Sequence, residues 1–301
     1  MVKKIAVIGS TGMLGYAVSE YFFAQGWDVQ RIDRQDYDIA EDPVSKLEPL
    51  LNGSQCVVNC AGVIKPRIAV NSVENVVRIN AIFPRNLAEL CRRRKMMCFH
   101  ITTDCVYSGR KGQYTEHDLF DAEDLYGMTK NAGETANCMT LRTSIIGEEK
   151  GQSRSLLEWA RSQAGQEIKG FINHSWNGVT TLYLAEIIAL ILEWDLYRPG
   201  IFHIHSPDSV SKYELMQIFN EVYGLQLQIT PHEADLSVDR SLASIFTLSK
   251  DLASKPIRQQ VREMRTFWRL KENQTSVATR RKGAKIVEQV SGTKTYVYQG
   301  C

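Results

Sequence analysis

The stretch KIAVIGSTGMLGYAVSEYFFAQG, residues 4–26, joins a short apolar run, three evenly spaced glycines and a longer run that ends in glycine. The first run predicts a buried strand and the longer run a helix. Gly9 permits a tight turn, and Gly12 lets the backbone approach a phosphate at the positive helix N-terminus. Gly15 lets the helix pack closely on the sheet. A strand, a glycine turn and a helix in this order predict a site for the pyrophosphate of a dinucleotide.

Beyond this segment, short apolar runs continue to alternate with longer helical patterns. Apolar strands separated by helices are typical of a parallel sheet that helices cover on both faces. We therefore predict an α/β fold, a Rossmann-type doubly wound parallel sheet with a smaller C-terminal α/β substrate lobe. The predicted strands are Lys4–Gly9, Asp28–Asp33, Gln55–Gly62, Met97–Thr103 and Cys138–Ile146, and the helices between them are Thr11–Gly26, Ser72–Arg94 and Asp124–Asn137.

The domain organisation follows from where this alternation weakens. We expect residues 1–147 to form the dinucleotide-binding domain, with segments near 179–205 returning to it. Residues 148–270 are expected to form the smaller, interleaved substrate lobe. Residues 271–301 are polar and basic without a long apolar period, so we expect them to be loosely ordered or to act as an arm for an oligomer or partner.

Composition and charge argue against several classes of protein. The chain has 301 residues, of which 44% are hydrophobic and 23% charged, as in a globular protein with a sizeable core. A formal net charge of +2 gives no reason to expect a nucleic-acid partner. The longest apolar run, Tyr183–Trp194, carries two glutamates and is too short to cross a bilayer. The seven cysteines favour free thiols, and neither Cys56 with Cys60 nor His203 with His205 has the further ligands of a metal site. The default expectation is a cytoplasmic protein without a metal.

The glycine spacing G-x-x-G-x-x-G resembles that of extended short-chain dehydrogenase/reductases, and further positions resemble this class. Asp33 suits the adenosine ribose hydroxyls and Arg34 a 2′-phosphate, so NADP is favoured while NAD stays open. Asp38–Ile39 resembles the adenine-contacting pair of the class, Asn59–Gly62 its turn beneath the cofactor, and Asn80 its helix asparagine. The resemblance implies that the cofactor-binding residues are Gly9, Thr11, Gly12, Met13, Leu14, Asp33, Arg34, Asp38, Ile39, Cys60, Ala61, Gly62 and Lys130.

Tyr126 and Lys130 stand four residues apart in YGMTK, on a predicted helix. This spacing places both side chains on one face of the helix, about one turn apart. A lysine ammonium beside a phenol lowers the pKa of the phenol and can also hold the nicotinamide ribose. The tyrosine then exchanges a proton with the substrate oxygen as a hydride moves. Together with the glycine turn, this pair predicts an oxidoreductase that transfers a hydride.

Within the extended class, the chain resembles the dTDP-4-dehydrorhamnose reductase family from about Lys4 to His205. The segments that carry the resemblance are TTDCVYSGRKGQYTEHD, LYGMTKNAGE, LRTSIIG and GVTTLYLAEII. It implies NAD(P)H-dependent reduction of the C4 ketone of a nucleotide-linked 4-keto-6-deoxy sugar, in nucleotide-sugar or surface-polysaccharide biosynthesis. On this match the Thr103 hydroxyl holds the keto oxygen, Tyr126 donates the proton and Lys130 tunes the tyrosine.

Several substrate-side positions depart from the family pattern. Cys105 stands where the family often has tyrosine, and Lys65 stands where many relatives carry an uncharged residue. The loop Phe171–Thr181 has NGVT in place of the usual G-x-P-T. These departures leave the sugar and its nucleotide open. The candidate substrate residues are Lys65, Thr103, Asp104, Cys105, His174, Trp176 and Asn177.

Two alternative functions remain open at this stage. Some relatives, such as GDP-fucose synthase, epimerise C3 and C5 before reduction and carry a cysteine at the position of Cys105, with a histidine acid for which His174 is a guess. The interpretation that we favour for Cys105 is a small apolar filler of the core. The same fold also serves as a non-catalytic, NADP-binding regulatory subunit of methionine adenosyltransferase. A homodimer is one of the oligomeric states that the sequence leaves open.

Overall fold

A computed structural model describes residues 3–150 and 155–290, with residues 275–290 as backbone. The strands are β1 (Lys4–Ile8), β2 (Asp28–Ile32), β3 (Cys56–Asn59), β4 (Met97–Thr103), β5 (Met139–Thr143), β6 (Ile145–Ile146), β7 (Glu167–Phe171), β8 (His174–Trp176), β9 (Val179–Thr180), β10 (Gly200–His203), β11 (Val210–Ser211), β12 (Gln228–His232) and β13 (Val238–Asp239). The central sheet has six strands in the order β10-β5-β4-β3-β1-β2. All of its pairings are parallel, which confirms the predicted doubly wound parallel sheet.

Helices cover both faces of this sheet. They are α1 (Met13–Ala24), α2 (Val44–Leu47), α3 (Lys65–Ile68), α4 (Val73–Val77), α5 (Phe83–Arg93), α6 (Leu125–Gly133), α7 (Leu156–Ser162), α8 (Thr181–Glu193), α9 (Lys212–Tyr223), α10 (Leu248–Leu252) and α11 (Ile257–Val290). Val18 of α1 and Ile188 of α8 pack in one core cluster with strand residues, and Leu87 of α5 packs in another. Because both faces are covered, strands such as β1 and β3 are nearly continuous apolar runs.

The chain from β6 onward alternates between the central sheet and a smaller lobe. β10 pairs with β5 at the edge of the central sheet, and α8 packs against α1. The lobe holds the parallel pair β7–β12 and the three-stranded sheet β11-β8-β13, with α9 beside them. Helix α9 begins with a capping box between Ser211 and Glu214 and ends at Gly224, whose φ of 65° suits glycine.

Two helical regions differ from the sequence-based expectation. The helix predicted over Ser72–Arg94 contains a wider π turn at Arg78–Ile82, between α4 and α5. Helix α11 continues to Val290, so the expected tail is helical that far and not loosely ordered, and its alternative role as an arm for an oligomer or partner stays a prediction. The segment lacks proline and is rich in good helix formers, which need no apolar period to form a helix. Residues 291–301 lie outside the described part of the chain.

No helix within the described ranges combines the length and the apolar character that crossing a bilayer requires.

Candidate functional site

The glycine turn after β1 is built by close backbone contacts. Gly9 has a φ of 76°, and a Cβ there would lie 2.9 Å from the backbone of Ala61. A Cβ on Gly15 would lie 2.1 Å from the carbonyl oxygen of Gly9, so α1 approaches the turn more closely than any other residue would allow. Gly12 precedes α1 and offers no side chain to cap it. The first N–H groups of α1 therefore remain available for an anion.

The turn that follows β3 adjoins this glycine turn. The amide oxygen of Asn59 accepts a hydrogen bond from the backbone N–H of Ala61 at 3.1 Å, which shapes the turn. The side chain of Asn80 binds both backbone groups of Val63, at 2.7 and 3.0 Å, and also donates to the Thr129 hydroxyl at 3.3 Å. The π turn thus brings Asn80 inward, where it ties the predicted cofactor turn to α6.

The end of β2 carries charged groups of both signs. The Asp33 carboxylate accepts the backbone N–H of Gln35 at 2.7 Å, and Arg34 pairs with Asp38 at 2.9 Å on the surface. Ile39 lines a neighbouring cavity of about 290 Å³ together with Ile82 and other residues. A carboxylate and a guanidinium at the end of β2, with a cavity of mixed lining next along the chain, fit an adenosine with or without a 2′-phosphate.

The predicted catalytic residues meet at the carboxyl end of β4. Thr103 ends this strand, and its hydroxyl donates to the Asp104 carboxylate and accepts the backbone N–H of Cys105, both at 3.1 Å. Tyr126 lies in the first turn of α6, which Asp124 caps by accepting the N–H of Gly127 at 2.7 Å. Open α/β sheets bind their ligands at this edge.

Burial controls the titration of Tyr126 and Lys130. Burial raises the pKa of Tyr126, and Cys105 adds to this, while a hydrogen bond with Thr103 opposes it. Lys130 donates instead to the carbonyl of Ile101 at 3.0 Å. Lys130 is not among the main influences on the pKa of the phenol, and its predicted lowering of that pKa stays a prediction. Burial lowers the pKa of Lys130 to about 8, although Glu134 and Cys60 oppose the shift.

The substrate side of Tyr126 holds three of the predicted residues. Lys65 pairs with Asp124 at 2.8 Å, and its ammonium lies 5.9 Å from the centre of the Tyr126 ring. Cys105 is half-buried beside Tyr126, and its interpretation as a small apolar filler stays a prediction. Burial raises the pKa of the Cys105 thiol to about 12 and also raises the pKa of Asp104.

Two cations near this edge were missed from the sequence. The Lys212 ammonium lies 5.5 Å from the centre of the Trp176 ring, and Asp104 and Cys105 both favour the charged form of this lysine. Arg240 donates to the carbonyl of Tyr107 at 2.8 Å and opposes the rise in the pKa of Asp104. Both residues lie far along the chain from β4, and no spacing in the sequence points to them.

The remaining predicted substrate residues have mainly structural contacts. Trp176 donates its indole N–H to the Ser144 hydroxyl at 2.9 Å, at the end of β5. The buried Asn177 amide binds both backbone groups of Leu242, at 2.8 and 2.9 Å, and so positions the segment that carries Arg240. His174 contacts the carbonyl of Leu236 at 3.1 Å and stands apart from the Tyr126 cluster in its described contacts.

A buried ion pair supports the helix that carries Tyr126. Arg142 of β5, to which the sequence assigns no role, binds Glu134 at the end of α6 through two hydrogen bonds of 3.0 and 2.5 Å. The same guanidinium donates to the Tyr107 hydroxyl at 2.7 Å and contacts the ring of His203 at 2.6 Å. This network ties α6 to β5, β10 and the segment that follows Cys105.

Known proteins resemble this chain over most of its length. The dTDP-4-dehydrorhamnose reductase of Mycolicibacterium smegmatis is 26% identical to this chain. The alignment covers 74% of this chain and 70% of the reductase. Methionine adenosyltransferase 2 subunit beta of Danio rerio is 24% identical over 74% of this chain and 75% of its own. The structure of dTDP-4-dehydrorhamnose reductase from Bacillus anthracis in complex with NADP covers 89% of this chain and 99% of its own, with a TM-score of 0.74 and 18% identity.

A family model settles the relationship that the motifs indicated. The model of the RmlD substrate binding domain matches residues 3–266, which include both predicted cofactor turns, the catalytic cluster and the smaller lobe. The chain therefore belongs to the RmlD substrate binding domain family, in agreement with the resemblance to dTDP-4-dehydrorhamnose reductases.

Proposed function

We propose that this protein uses NAD(P)H to reduce the C4 ketone of a nucleotide-linked 4-keto-6-deoxy sugar. The observation that carries the proposal is the convergence of Thr103, Tyr126 and Lys130 at the edge of the sheet where the glycine turn lies. The name of the Mycolicibacterium smegmatis relative and the NADP in the Bacillus anthracis structure support the same reaction. Arg34, at the surface beside Asp38, supports NADP as the preferred cofactor, with NAD retained as an option.

The chain's own residues supply the acid for this reaction. Bound NAD(P)H supplies the hydride to C4. With substrate bound, the Thr103 hydroxyl turns its one hydrogen from the Asp104 carboxylate to the keto oxygen, where negative charge develops. Because its pKa is raised, Tyr126 keeps its proton near neutral pH and can give it to that oxygen. Lys130, with a pKa of about 8, is largely charged at neutral pH and stabilises the phenolate that remains.

One cation from α3 and two from the smaller lobe supply the positive charge that a nucleotide diphosphate requires. Lys65, Lys212 and Arg240 surround Asp104 and Cys105 at the same edge of the sheet. We assign these cations to the substrate, with Trp176 beneath Lys212. A nucleotide-sugar substrate, a cytoplasmic location and no nucleic-acid partner follow from the same proposal, and a homodimer is the assembly to be tested first.

The test is NADPH and NADH oxidation with dTDP-, UDP-, GDP- and CDP-linked 4-keto-6-deoxy sugars. Tyr126→Phe is expected to lower kcat by about 10²–10⁴-fold, the usual contribution of a positioned acid, while cofactor binding is unchanged. Tyr197→Phe is the matched control, because its hydroxyl contacts the Cys98 backbone on another part of β4. Equal turnover by the Tyr126 variant and the control would refute the assignment.

A regulatory subunit is the second candidate, favoured by the match to methionine adenosyltransferase 2 subunit beta. This reading predicts NADP binding without turnover of any sugar in the panel, together with a stable complex with a methionine adenosyltransferase catalytic subunit. Sedimentation of the purified protein with and without that subunit distinguishes the two functions.

A further inference from the structure

A row of polar side chains lies on the face of the central sheet beneath α6. His100 of β4 is only 1% exposed, and in the sheet register it stands between Asn59 of β3 and Thr140 of β5. Thr102, two residues along β4, points to the same face because side chains alternate along a strand. Buried polar groups need hydrogen-bond partners, since burial of a polar group without one costs free energy.

Neighbouring members of this row have partners, but two atoms do not. The Thr140 hydroxyl donates to the carbonyl of Thr135 at 2.8 Å, and Arg142 binds Glu134. Across the described residues, His100 Nε2 and Thr102 Oγ1 are buried without a hydrogen-bond partner. Two unpartnered atoms on one face, from residues two positions apart on β4, mark a place for a small polar molecule.

The protonation of His100 follows from its neighbours. The backbone N–H of Ala61 donates to Asn59 Oδ1 at 3.1 Å, which directs the amide nitrogen of Asn59 toward His100. That nitrogen lies 3.2 Å from His100 Nδ1, so it donates and Nδ1 accepts. The hydrogen of a neutral imidazole is then on Nε2. Burial and the charge of Lys130 hold the pKa of His100 well below its usual value, so the ring is neutral at physiological pH.

Lys130 lies against the same stretch of β4. Its ammonium donates to the carbonyl of Ile101, the residue between His100 and Thr102, at 3.0 Å. An ammonium carries three N–H groups, and Ile101 takes one of them. The charged or titratable groups that act on Lys130 are Glu134 on its own helix, Cys60 in the turn after β3, and His100 beneath it.

We propose that His100 and Thr102 are positioning residues that hold one water molecule against the Lys130 ammonium. The water accepts hydrogen bonds from His100 Nε2–H and from Lys130, and it donates one to the Thr102 hydroxyl. Three such partners are typical of a buried water. The water keeps Lys130 protonated and directed in an interior that otherwise favours the neutral amine. The effect of this water on turnover rests on the proposed function, but the water site itself does not.

The first test is structural and needs no activity. A high-resolution crystal structure of the wild type should show one water within hydrogen-bond distance of His100 Nε2, Thr102 Oγ1 and Lys130 Nζ. His100→Phe and Thr102→Val should each lose this water, whereas His100→Gln, whose amide N–H can replace Nε2–H, should keep it. The absence of the water from a well-ordered wild-type structure would overturn the proposal.

The second test is the titration of Lys130, followed by NMR of the lysine side chain in cofactor-free protein. Loss of an acceptor for the ammonium lowers the pKa of Lys130, so we expect its midpoint to fall by about one pH unit in His100→Phe and Thr102→Val. His100→Gln should restore it. Thr140→Val is the matched control, because its hydroxyl is already bound to Thr135. A midpoint in both variants equal to that of the control would refute the role of the water.

Turnover gives a third readout that separates this proposal from the proposed function. In His100→Phe the basic limb of the kcat profile should move to lower pH by the same amount as the titration, with KM unchanged. If no sugar in the panel is reduced by the wild type, the proposed function fails, while the structural and titration tests still decide the water site. If His100→Phe does not fold, Thr102→Val carries the comparison.

Discussion

Removal of the Glu134 carboxylate tests how the interior holds α6 in place. Glu134 and Arg142 are 2% and 1% exposed, and two hydrogen bonds of 3.0 and 2.5 Å join them. Removal of one partner of a buried pair costs about 3–5 kcal/mol, because the other charge stays buried without compensation. We therefore expect Glu134→Leu to lower the free energy of unfolding by about 4 kcal/mol, a large part of the roughly 5–15 kcal/mol of a typical domain.

The assay is urea unfolding at neutral pH, with two companion variants. Glu123→Gln removes an exposed pair with Arg110, whose side chains are 77% and 74% exposed, and should cost less than about 1 kcal/mol. The double variant Glu134→Leu with Arg142→Met removes both buried charges and should recover at least half of the loss. The reasoning is refuted if Glu134→Leu costs no more than Glu123→Gln, or if the double variant is less stable than the single one. If Glu134→Leu is insoluble, a soluble double variant supports the reasoning and an insoluble one refutes it.

Three further outcomes follow from the site. A Cβ added at Gly12 would lie 3.4 Å from the Gly9 carbonyl oxygen, an ordinary contact, so Gly12→Ala should fold but bind NADPH about tenfold more weakly or worse. A Cβ added at Gly15 would lie 2.1 Å from the same oxygen, so Gly15→Ala should not fold. An unchanged NADPH titration of Gly12→Ala would contradict the dinucleotide turn. Lys130 acts in its charged form and has a pKa of about 8, so kcat should be level below pH 8 and fall above it. A kcat profile that stays level well above pH 8 would show that the charged form of Lys130 is not required. With a pKa of about 12 the Cys105 thiol stays protonated and cannot act as a base, so Cys105→Ser should keep turnover. Wild-type product formed in D₂O should carry no deuterium at C3 or C5. Deuterium at C3 or C5 in the wild-type product, absent from the product of Cys105→Ser, would favour the epimerising reductase.

The predictions that the structure confirmed rest on local signals. The parallel sheet followed from apolar runs that alternate with helical patterns. The absent apolar period after residue 271 gave no sign that α11 continues to Val290, because intrinsic propensity can extend a helix without such a period. The π turn at Arg78–Ile82 gives no such signal, since the sequence around it is simply helical.

The electrostatics of the site could not be predicted in the same way. The spacing of Tyr126 and Lys130 placed both on one face of α6, but it did not reveal that Lys130 donates to Ile101 and that burial is the largest influence on the pKa of the phenol. Desolvation depends on every element that packs around a group. It is therefore a property of the assembled fold and not of a motif.

The sequence by itself determined the glycine turn, the strand and helix order and the shared helix face of Tyr126 and Lys130, because conformational limits and side-chain periodicity act over a few residues. Only the tertiary structure decided which distant groups meet these residues. Lys65 reaches Asp124, Lys212 and Arg240 act on Asp104, and Arg142 neutralises Glu134 beneath the helix. Such contacts join residues far apart in the chain, and their strength comes from burial that exists only once the sheet, the helices and the smaller lobe have packed together.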